Sequence, residues 1–222
     1  MISCICPTRN RQGLIELAVT SFLNQTYKDS ELVILDDGCP PTVIPENPRI
    51  RYIRLSPVGR LTTGQKRNKC CENACGEVIA HFDDDDWSHP LRLEEQLARL
   101  KDGIQVTGYH LIQFYDMDQK RAFELKTGEA ALGTSQMYFK SYWERHRFRP
   151  QKFKEDVHFS NEAEKAGVLS MVSGIGRIVA RRHSQNTWGA KTKIDNNPAA
   201  WQDITVGELP VEFWNDLNKF GK

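Results

Sequence analysis

Four consecutive aspartates, Asp83, Asp84, Asp85 and Asp86, end the apolar run 78–82 of this 222-residue chain. Neighbouring carboxylates repel by about 1 kcal/mol per pair in water and by about 4 kcal/mol at an effective dielectric constant near 20. A folded chain therefore holds such a cluster at a strand end at low cost only beside a cation. Hard divalent cations prefer oxygen ligands and commonly hold phosphates. The run predicts a site for a metal ion and a nucleotide.

Two more polar clusters follow predicted strands, at residues 7–11 and 36–38. In open α/β sheets, ligands bind at the carboxyl ends of the parallel strands, so all three clusters should meet at one edge. Taken alone, 36–38 would fit a plain turn equally well. Taken alone, the four aspartates would also fit a solvated acidic loop. Their convergence favours a binding site.

The first half alternates strands and helices. Apolar patterning predicts strands at 2–6, 31–35, 49–55 and 78–82, with helices near 14–22 and 61–74. Ser88 and Pro90 are typical helix-start residues, and we expect a third helix there. A β-α-β-α-β-α-β order indicates an α/β fold with a mostly parallel sheet and helices on its faces.

The second half is less regular. It predicts an antiparallel pair at 105–115 and 121–126, a short strand at 137–140, a helix at 155–166 and strands at 169–172 and 178–182. A polar segment follows residue 188, and a short helix is expected around 211–217. We therefore predict one domain over residues 1–188 and a C-terminal tail over 189–222.

Composition excludes several classes. Thirty basic and 29 acidic residues give a net charge of +1, which argues against a nucleic-acid partner bound through bulk charge. No apolar stretch approaches the ~18 residues that span a bilayer, and the N-terminus lacks signal-peptide features. We expect a cytoplasmic protein. The six cysteines lack a zinc-ribbon spacing, so reduced and mostly buried thiols are expected.

Six short segments occur in an order that resembles the family 2 glycosyltransferases, which have the GT-A fold. The resemblance covers about residues 2–188. It implies a nucleotide-binding half at about 1–102 and an acceptor-binding half at about 103–188, with a small antiparallel part in the second half. The segments are Cys-Pro-Thr-Arg-Asn-Arg at 6–11, Asn-Gln-Thr-Tyr at 24–27, Leu-Asp-Asp-Gly at 35–38, Lys-Arg-Asn at 66–68, Phe-Asp-Asp-Asp-Asp at 82–86 and Lys-Glu-Asp at 154–156.

The resemblance implies a role for each matching residue. Pro7, Thr8 and Arg9 would line the nucleobase and ribose pocket. Asp36 would accept a hydrogen bond from the base, usually uracil, and Arg67 would assist the diphosphate. The Asp-x-Asp motif of the family corresponds to Asp83, Asp84 and Asp85, of which Asp83 and Asp84 would contact the nucleotide.

The same resemblance implies a metal ion and a base. Asp85 would ligate Mn²⁺ or Mg²⁺, with Asp83 and the late His183 completing the coordination. Asp156 would be the catalytic base, with Glu155 beside it. A metal ion stabilises the charge that develops on a leaving diphosphate, and one carboxylate can take the proton of the attacking hydroxyl. This chemistry gives single displacement with inversion.

The resemblance also suggests the partners. The donor would be a nucleoside-diphosphate sugar, with a UDP-sugar favoured, and the acceptor a glycan or a lipid-linked sugar. A lipid-linked acceptor would bring the chain to the inner face of a membrane as a peripheral protein. Cys39 stands where the family commonly has serine after Asp-Asp-Gly, which leaves the contacts of that loop open.

Simpler interpretations exist for several residues. Asp156 would also suit the first turn of a helix, where acidic side chains are favourable. His183 would also fit a structural role, and Arg67 an exposed helix face. The basic stretch 145–149 would attract an anionic acceptor or form a surface loop. The tryptophans that would stack on sugar rings or pack in the core are Trp143, Trp188 and Trp201.

Three other functions compete. A sugar nucleotidyltransferase shares the fold class and the metal ion, but it typically has a glycine-rich loop after the first strand, and residues 7–11 contain no glycine. A phosphatase with an aspartate nucleophile would place its paired aspartates after the first strand. A non-catalytic nucleotide-sugar-binding module would not need Asp85 and Asp156.

Overall fold

The computed structural model describes residues 1–55, 61–128, 130–186 and 200–220. Within these ranges one sheet contains eleven strands, and six α-helices accompany it. The strands are β1 (Ile2–Thr8), β2 (Ser30–Asp36), β3 (Ile50–Arg54), β4 (Val78–His81), β5 (Trp87–Ser88), β6 (Val106–Asp116), β7 (Arg121–Lys126), β8 (Met137–Phe139), β9 (Leu169–Ser173), β10 (Ile178–Arg182) and β11 (Trp201–Ile204). The helices are α1 (Gln12–Leu23), α2 (Thr63–Asn73), α3 (Arg92–Leu97), α4 (Lys140–Arg145), α5 (Glu155–Lys165) and α6 (Val211–Asn218).

Four parallel strands form the first half of the sheet, in the order β3-β2-β1-β4. Every residue of β2 is buried, as expected for an apolar strand with a neighbour on each side and cover on both faces. The register sets Thr8 beside Asp36 and Ile5 beside His81. The carboxyl ends of β1, β2 and β4 therefore meet at one edge of the sheet, as predicted.

The second half extends the same sheet. Strands β8, β6, β7 and β11 continue it through antiparallel pairs. Strands β9 and β10 pair in parallel with opposite ends of the long strand β6. The structure therefore confirms the predicted α/β sheet with an antiparallel part in the second half.

Successive residues of β1 pack into two separate hydrophobic cores, one on each face of the strand. Cys4 and Cys6 pack with Phe22 of α1 on one face, and Ile5 packs with Cys70 of α2 on the other. This alternation follows from the two-residue period of a strand. The buried cysteines, all free thiols as expected, are Cys4, Cys6, Cys70 and Cys71.

Three short elements differ from the prediction. Ser88 was expected to start a helix, but it lies in β5, and α3 begins at Arg92. The reason is the neighbouring Trp87, which is fully buried and holds β5 against β10. Helix α4 and strand β11 were not predicted at all. Both are too short to give a periodic signal, and packing rather than propensity stabilises such elements.

Helix α6 packs against the first half of the chain. Its Asp216 accepts hydrogen bonds from Trp87 Nε1 at 3.0 Å and from Asn24 Nδ2 at 3.2 Å. Phe213 contacts the Trp87 ring, with centroids 6.0 Å apart. The tail thus supplies core contacts. The boundary placed at residue 188 lies outside the described ranges and stays a prediction.

We expect Asp216→Ala to lower the free energy of unfolding by about 1–3 kcal/mol, because the indole N–H of Trp87 and the amide of Asn24 lose their acceptor. Glu212→Ala, on the exposed side of the same helix, should change it by no more than about 0.5 kcal/mol. Urea denaturation followed by tryptophan fluorescence measures both. Equal stability of the two variants would contradict the docking role of Asp216.

Candidate active site

A cleft of about 640 Å³ opens at the carboxyl ends of β1 and β4. This volume falls within the usual range for small-molecule sites. The loop 83–86 after β4 forms one wall, and the first turn of α5 forms another. The sequence-predicted residues that line it are Pro7, Arg67, Asp83, Asp84, Asp85, Glu155 and Asp156. Other predicted site residues do not line the cleft, among them Arg9, Asp36 and His183. Arg9 is half-buried, and Asp36 and His183 are buried.

Arg67 connects the aspartate run to α5. A capping box between Thr62 and Gln65 fixes the start of α2 and so places Arg67 in its second turn. The guanidinium is buried; its Nη2 donates to Asp83 Oδ1 at 3.1 Å, and its Nη1 lies 3.0 Å from Glu155 Oε1. One buried cation thus serves two carboxylates.

Arg11 neutralises the centre of the run. Its Nη1 donates to Asp84 Oδ1 at 2.6 Å and to Asp85 Oδ2 at 3.0 Å, while its Nη2 donates to the carbonyl of Gln185 at 2.5 Å. Asp84 also accepts from the Thr8 hydroxyl at 2.7 Å. Burial raises the pKa of Asp84 to about 6, although Arg11 opposes this shift. Thr8, predicted to contact the nucleotide, therefore bonds to Asp84.

Asp85 has a different environment from its neighbours. His183 Nε2 donates to its Oδ2 at 3.2 Å, and Asn186 Nδ2 donates to the same oxygen at 3.1 Å. The His183 Nδ1 accepts from the backbone N–H of Gln185, which assigns the ring proton to Nε2. Burial acts to raise the pKa of Asp85, but the His183 hydrogen bond and the Arg11 charge outweigh it, so the pKa is lowered.

Asp86 lines the cleft and also bonds to a neighbouring strand. Its Oδ1 accepts from the backbone N–H of Arg181 at 3.1 Å, which ties the loop to β10. Burial, followed by the charges of Asp85 and Asp83, holds its pKa well above the ordinary value. Of the four aspartates, Asp83 and Asp86 are half-buried, whereas Asp84 and Asp85 are buried.

Asp36 organises the loop after β2. It is fully buried, and it accepts from the backbone N–H groups of Gly38 at 2.7 Å and Thr42 at 2.8 Å and from the Tyr52 hydroxyl at 2.7 Å. Burial acts to raise its pKa, but these hydrogen bonds lower it. A role in reading the nucleobase stays a prediction, since every bond of this carboxylate is internal.

Asp156 lies in the first turn of α5, half-exposed to the cleft. Its Oδ1 accepts from the backbone N–H of Val157 at 2.8 Å. Its Oδ2 lies against Gly133, where a Cβ would be only 2.0 Å away. The Gly133 carbonyl in turn accepts from Nδ1 of the buried His81 at 2.6 Å. The hydrogen bond from the buried His81 thus holds the Gly133 backbone, against which the Asp156 carboxylate packs.

Glu155 has a separate role from Asp156. It is 4% exposed and faces Arg67, whose charge it shares with Asp83. Burial raises the pKa of Glu155 to about 7; Arg67 opposes this shift and the charge of Asp156 adds to it. The residue preceding it, Lys154, has a φ of 63° and turns the chain sharply into the helix.

The remaining candidates lie apart from the aspartates. Trp143 is buried and donates to Asn68 at 2.9 Å, so it is a core residue, whereas Trp201 lines the cleft. Trp188 lies outside the described residues. Within the basic stretch 145–149, Arg147 lies 2.8 Å from Glu72 and is neutralised by it.

The donor set fits a hard divalent cation only in part. Over the described ranges, no group of three or more His, Cys, Asp or Glu side chains is arranged to hold a metal ion. Asp85 and His183 nevertheless bring a carboxylate oxygen and an imidazole nitrogen within 3.2 Å of each other. Carboxylates suit Mg²⁺ and Mn²⁺, and such ions commonly take further ligands from water and substrate phosphates. These two residues fit an ion completed by a bound diphosphate.

Sequence reasoning assigned no role to Arg11, Asn186 or Gly133. Arg11 stood inside a quoted motif, and its charge next to an acidic run was the available signal. Asn186 and Gly133 carried none, because only the fold brings them to Asp85 and Asp156.

The chain belongs to the glycosyl transferase family 2. The model of that family matches residues 3–173. A GalNAc(5)-diNAcBac-PP-undecaprenol beta-1,3-glucosyltransferase of Campylobacter jejuni is 34% identical over 92 residues, which are 38% of this chain and 29% of that protein. The putative glycosyltransferase EpsE of Bacillus subtilis is 31% identical over 123 residues, which are 51% of this chain and 44% of EpsE. The chain thus spans less than half the length of these curated relatives.

Solved structures share the fold. S. aureus TarS 1–349 in complex with UDP-GlcNAc superposes with a TM-score of 0.65 at 18% identity, covering 84% of this chain and 60% of TarS. The mannosyltransferase PcManGT of Pyrobaculum calidifontis, in complex with GDP-Man and Mn²⁺, gives 0.63 at 13% identity, covering 84% and 58%. These GT-A enzymes confirm the predicted fold.

No helix in the described parts of the chain combines the length and apolar character needed to cross a membrane.

We expect Arg11→Leu to lower the free energy of unfolding by about 3–5 kcal/mol, because it leaves two buried carboxylates without their cation. The control is Arg121→Leu, which removes an exposed bridge to Asp203 of 2.8 Å and should cost no more than about 1 kcal/mol. Chemical denaturation at pH 7.5 compares the two. A cost for Arg11→Leu as small as that of Arg121→Leu would show that Arg11 is not the counter-ion of the run.

Glu155 should make stability fall as pH rises. The pKa of Glu155 is raised from 4.5 to about 7 in the folded chain. Between these two pH values the folded chain therefore keeps a proton that the unfolded chain has lost. From pH 5 to pH 8, the wild type should lose about 2 kcal/mol relative to Glu155→Gln. Glu164→Gln, on the exposed face of α5, should follow the wild type. Denaturation curves of the three proteins at both pH values test this. A stability difference between the wild type and Glu155→Gln that is the same at both pH values would contradict it.

Proposed function

We propose that this chain transfers a sugar from a nucleoside-diphosphate sugar, preferably a UDP-sugar, to a hydroxyl of a glycan or lipid-linked acceptor, with inversion. The observation that carries the proposal is one cleft with Asp85, which the buried His183 contacts at 3.2 Å, on one wall and the half-exposed Asp156 on another. The TarS complex with UDP-GlcNAc supports the donor class, and the undecaprenol-linked relative supports the acceptor class.

The aspartate wall is assigned to the donor. The half-buried Asp83 would contact the ribose, and Asp85 with His183 would hold Mn²⁺ or Mg²⁺ against the diphosphate. The ion, when bound, would stabilise the negative charge of the leaving nucleoside diphosphate. Arg67 would orient Asp83 through the contact at 3.1 Å. To ligate the ion through Nε2, His183 would carry its ring proton on Nδ1 and give up the hydrogen bond from the Gln185 N–H.

Asp156 is assigned as the base. It would accept the proton of the acceptor hydroxyl as that oxygen attacks the anomeric carbon, from the face opposite the diphosphate. Its position against Gly133 limits the directions in which the carboxylate can point. Glu155 is buried against Arg67, so its proposed role is to position that guanidinium. A lipid-linked acceptor would bring the cleft to the inner face of a membrane.

The test separates donor binding from turnover. UDP with Mn²⁺ at 100 times its dissociation constant should stabilise the wild type by about 2.7 kcal/mol in a thermal-shift assay. Asp85→Asn should lose this effect. Asp156→Asn should keep the shift but lower the turnover of UDP-sugar at least about 100-fold, the usual minimum for a general base.

GDP, dTDP and CDP serve as comparison nucleotides, and Glu164→Gln serves as the control variant. A shift with another nucleotide would change the donor base. Absence of a shift with all four, with and without Mn²⁺, would overturn the donor assignment. Full turnover in Asp156→Asn would overturn the base assignment and leave the donor site standing.

A further inference from the structure

Three lysines line the cleft together with the aspartate run. Lys126 ends β7, and Lys152 and Lys154 precede α5 on either side of Phe153. All three are exposed, and all three line the cleft. The ion pairs of the described residues include none of them, whereas Lys66 and Lys219 are both paired. These three lysines are called the lysine rim.

The other cations that line the cleft are paired with carboxylates or buried. Arg181 is buried and donates to the backbone carbonyls of Asp85 and Leu14. Arg11 and Arg67 contact the aspartate run at 3.1 Å or less. In the basic stretch 145–149, which the sequence suggested as an attractor of anions, Arg147 pairs with Glu72 at 2.8 Å and Arg149 with Glu162 at 3.3 Å. Among the described residues that line the cleft, the exposed cations are therefore the three lysines of the rim.

Part of the cleft lining is apolar. Phe114 and Trp201 belong to it, with their rings 5.1 Å apart at 64°, and Leu125 lies beside them. Phe153 is 50% exposed between the two lysines that precede α5. Aromatic and aliphatic surface next to free ammonium groups suits a ligand that has both an apolar or sugar-ring part and a concentrated negative charge.

We propose that the lysine rim binds the phosphate of an acceptor that carries a phosphate ester or diphosphate close to its receiving hydroxyl. This inference rests on the proposed function and specifies the acceptor class. Asp156 would repel any anion near it, and three unpaired ammonium groups at the same cleft offset that repulsion. A phosphate carries up to two negative charges at pH 7. It therefore suits a cluster of lysines better than a carboxylate, with its single charge, would. A prenyl diphosphate and a polyol phosphate share this chemistry.

The experiment measures binding by the full chain with UDP and Mn²⁺ present, so that the donor end is filled. Geranyl diphosphate and glycerol 3-phosphate are the charged probes, with geraniol and glycerol as neutral partners. Isothermal titration gives affinity, and tryptophan fluorescence, to which Trp201 in the cleft contributes, gives a second readout. The test variant replaces Lys126, Lys152 and Lys154 by Gln. The control variant replaces three exposed lysines outside the cleft, Lys69, Lys101 and Lys165, by Gln.

We expect at least one charged probe to bind the wild type and the control variant and to bind the rim variant about tenfold more weakly. Its affinity should fall with added salt, more steeply for the wild type than for the rim variant. Tighter binding of geranyl diphosphate identifies a lipid-linked source, and tighter binding of glycerol 3-phosphate a polyol source.

Several results would overturn the inference: equal affinity of the rim and control variants, neutral probes that bind as well as charged ones, or no binding of either charged probe. Phosphate binding that UDP abolishes would do the same, because it would assign the phosphate to the donor end. Failure of UDP and Mn²⁺ to stabilise the chain would instead overturn the proposed donor. In that case the lysine rim is tested by comparing the affinities of the rim and control variants for the charged probes without nucleotide.

Discussion

Repulsion among carboxylates at one edge of the sheet is the constraint that shapes this protein. The parallel register brings the ends of β1, β2 and β4 together and concentrates negative charge there. Two arginines from different elements compensate it, Arg11 at the start of α1 and Arg67 in α2. Because both lie largely out of solvent, their attraction to the aspartates is screened little by salt.

This compensation ties distant segments to the site. Through Arg11, the loop after β1 contacts the aspartate run and the carbonyl of Gln185. Through Arg67, α2 contacts both Asp83 and the first turn of α5. A change in the charge of the run, such as the arrival of a cation and a diphosphate, would therefore alter the forces on α2 and α5 together. The aspartate run and the helix turn that carries Asp156 are thus linked by one guanidinium.

Sequence patterns predicted the parts of the fold that depend on local order. The two-residue period of β1 and the apolar run of β2 identified buried strands, and the order of strand ends placed the aspartates at a shared edge. They did not predict α4 or β11, whose formation depends on partners far along the chain. Asp36 illustrates the same limit at the site: its type and position were typical of a ligand-reading residue, but burial and internal hydrogen bonds depend on the folded loop.

Charge pairing distinguishes cations that stabilise the fold from cations that face a ligand. In sequence, the stretch 145–149 is more basic than any segment near Lys126, and charge density alone would select it. In the fold, Glu72 pairs with Arg147 and Glu162 with Arg149, while the three rim lysines have no ion-pair partner among the described residues. An exposed ammonium group stays hydrated, so it can lie at the cleft without an ion-pair partner inside the protein. The residual charge, rather than the number of basic residues, therefore indicates where an anionic acceptor would bind.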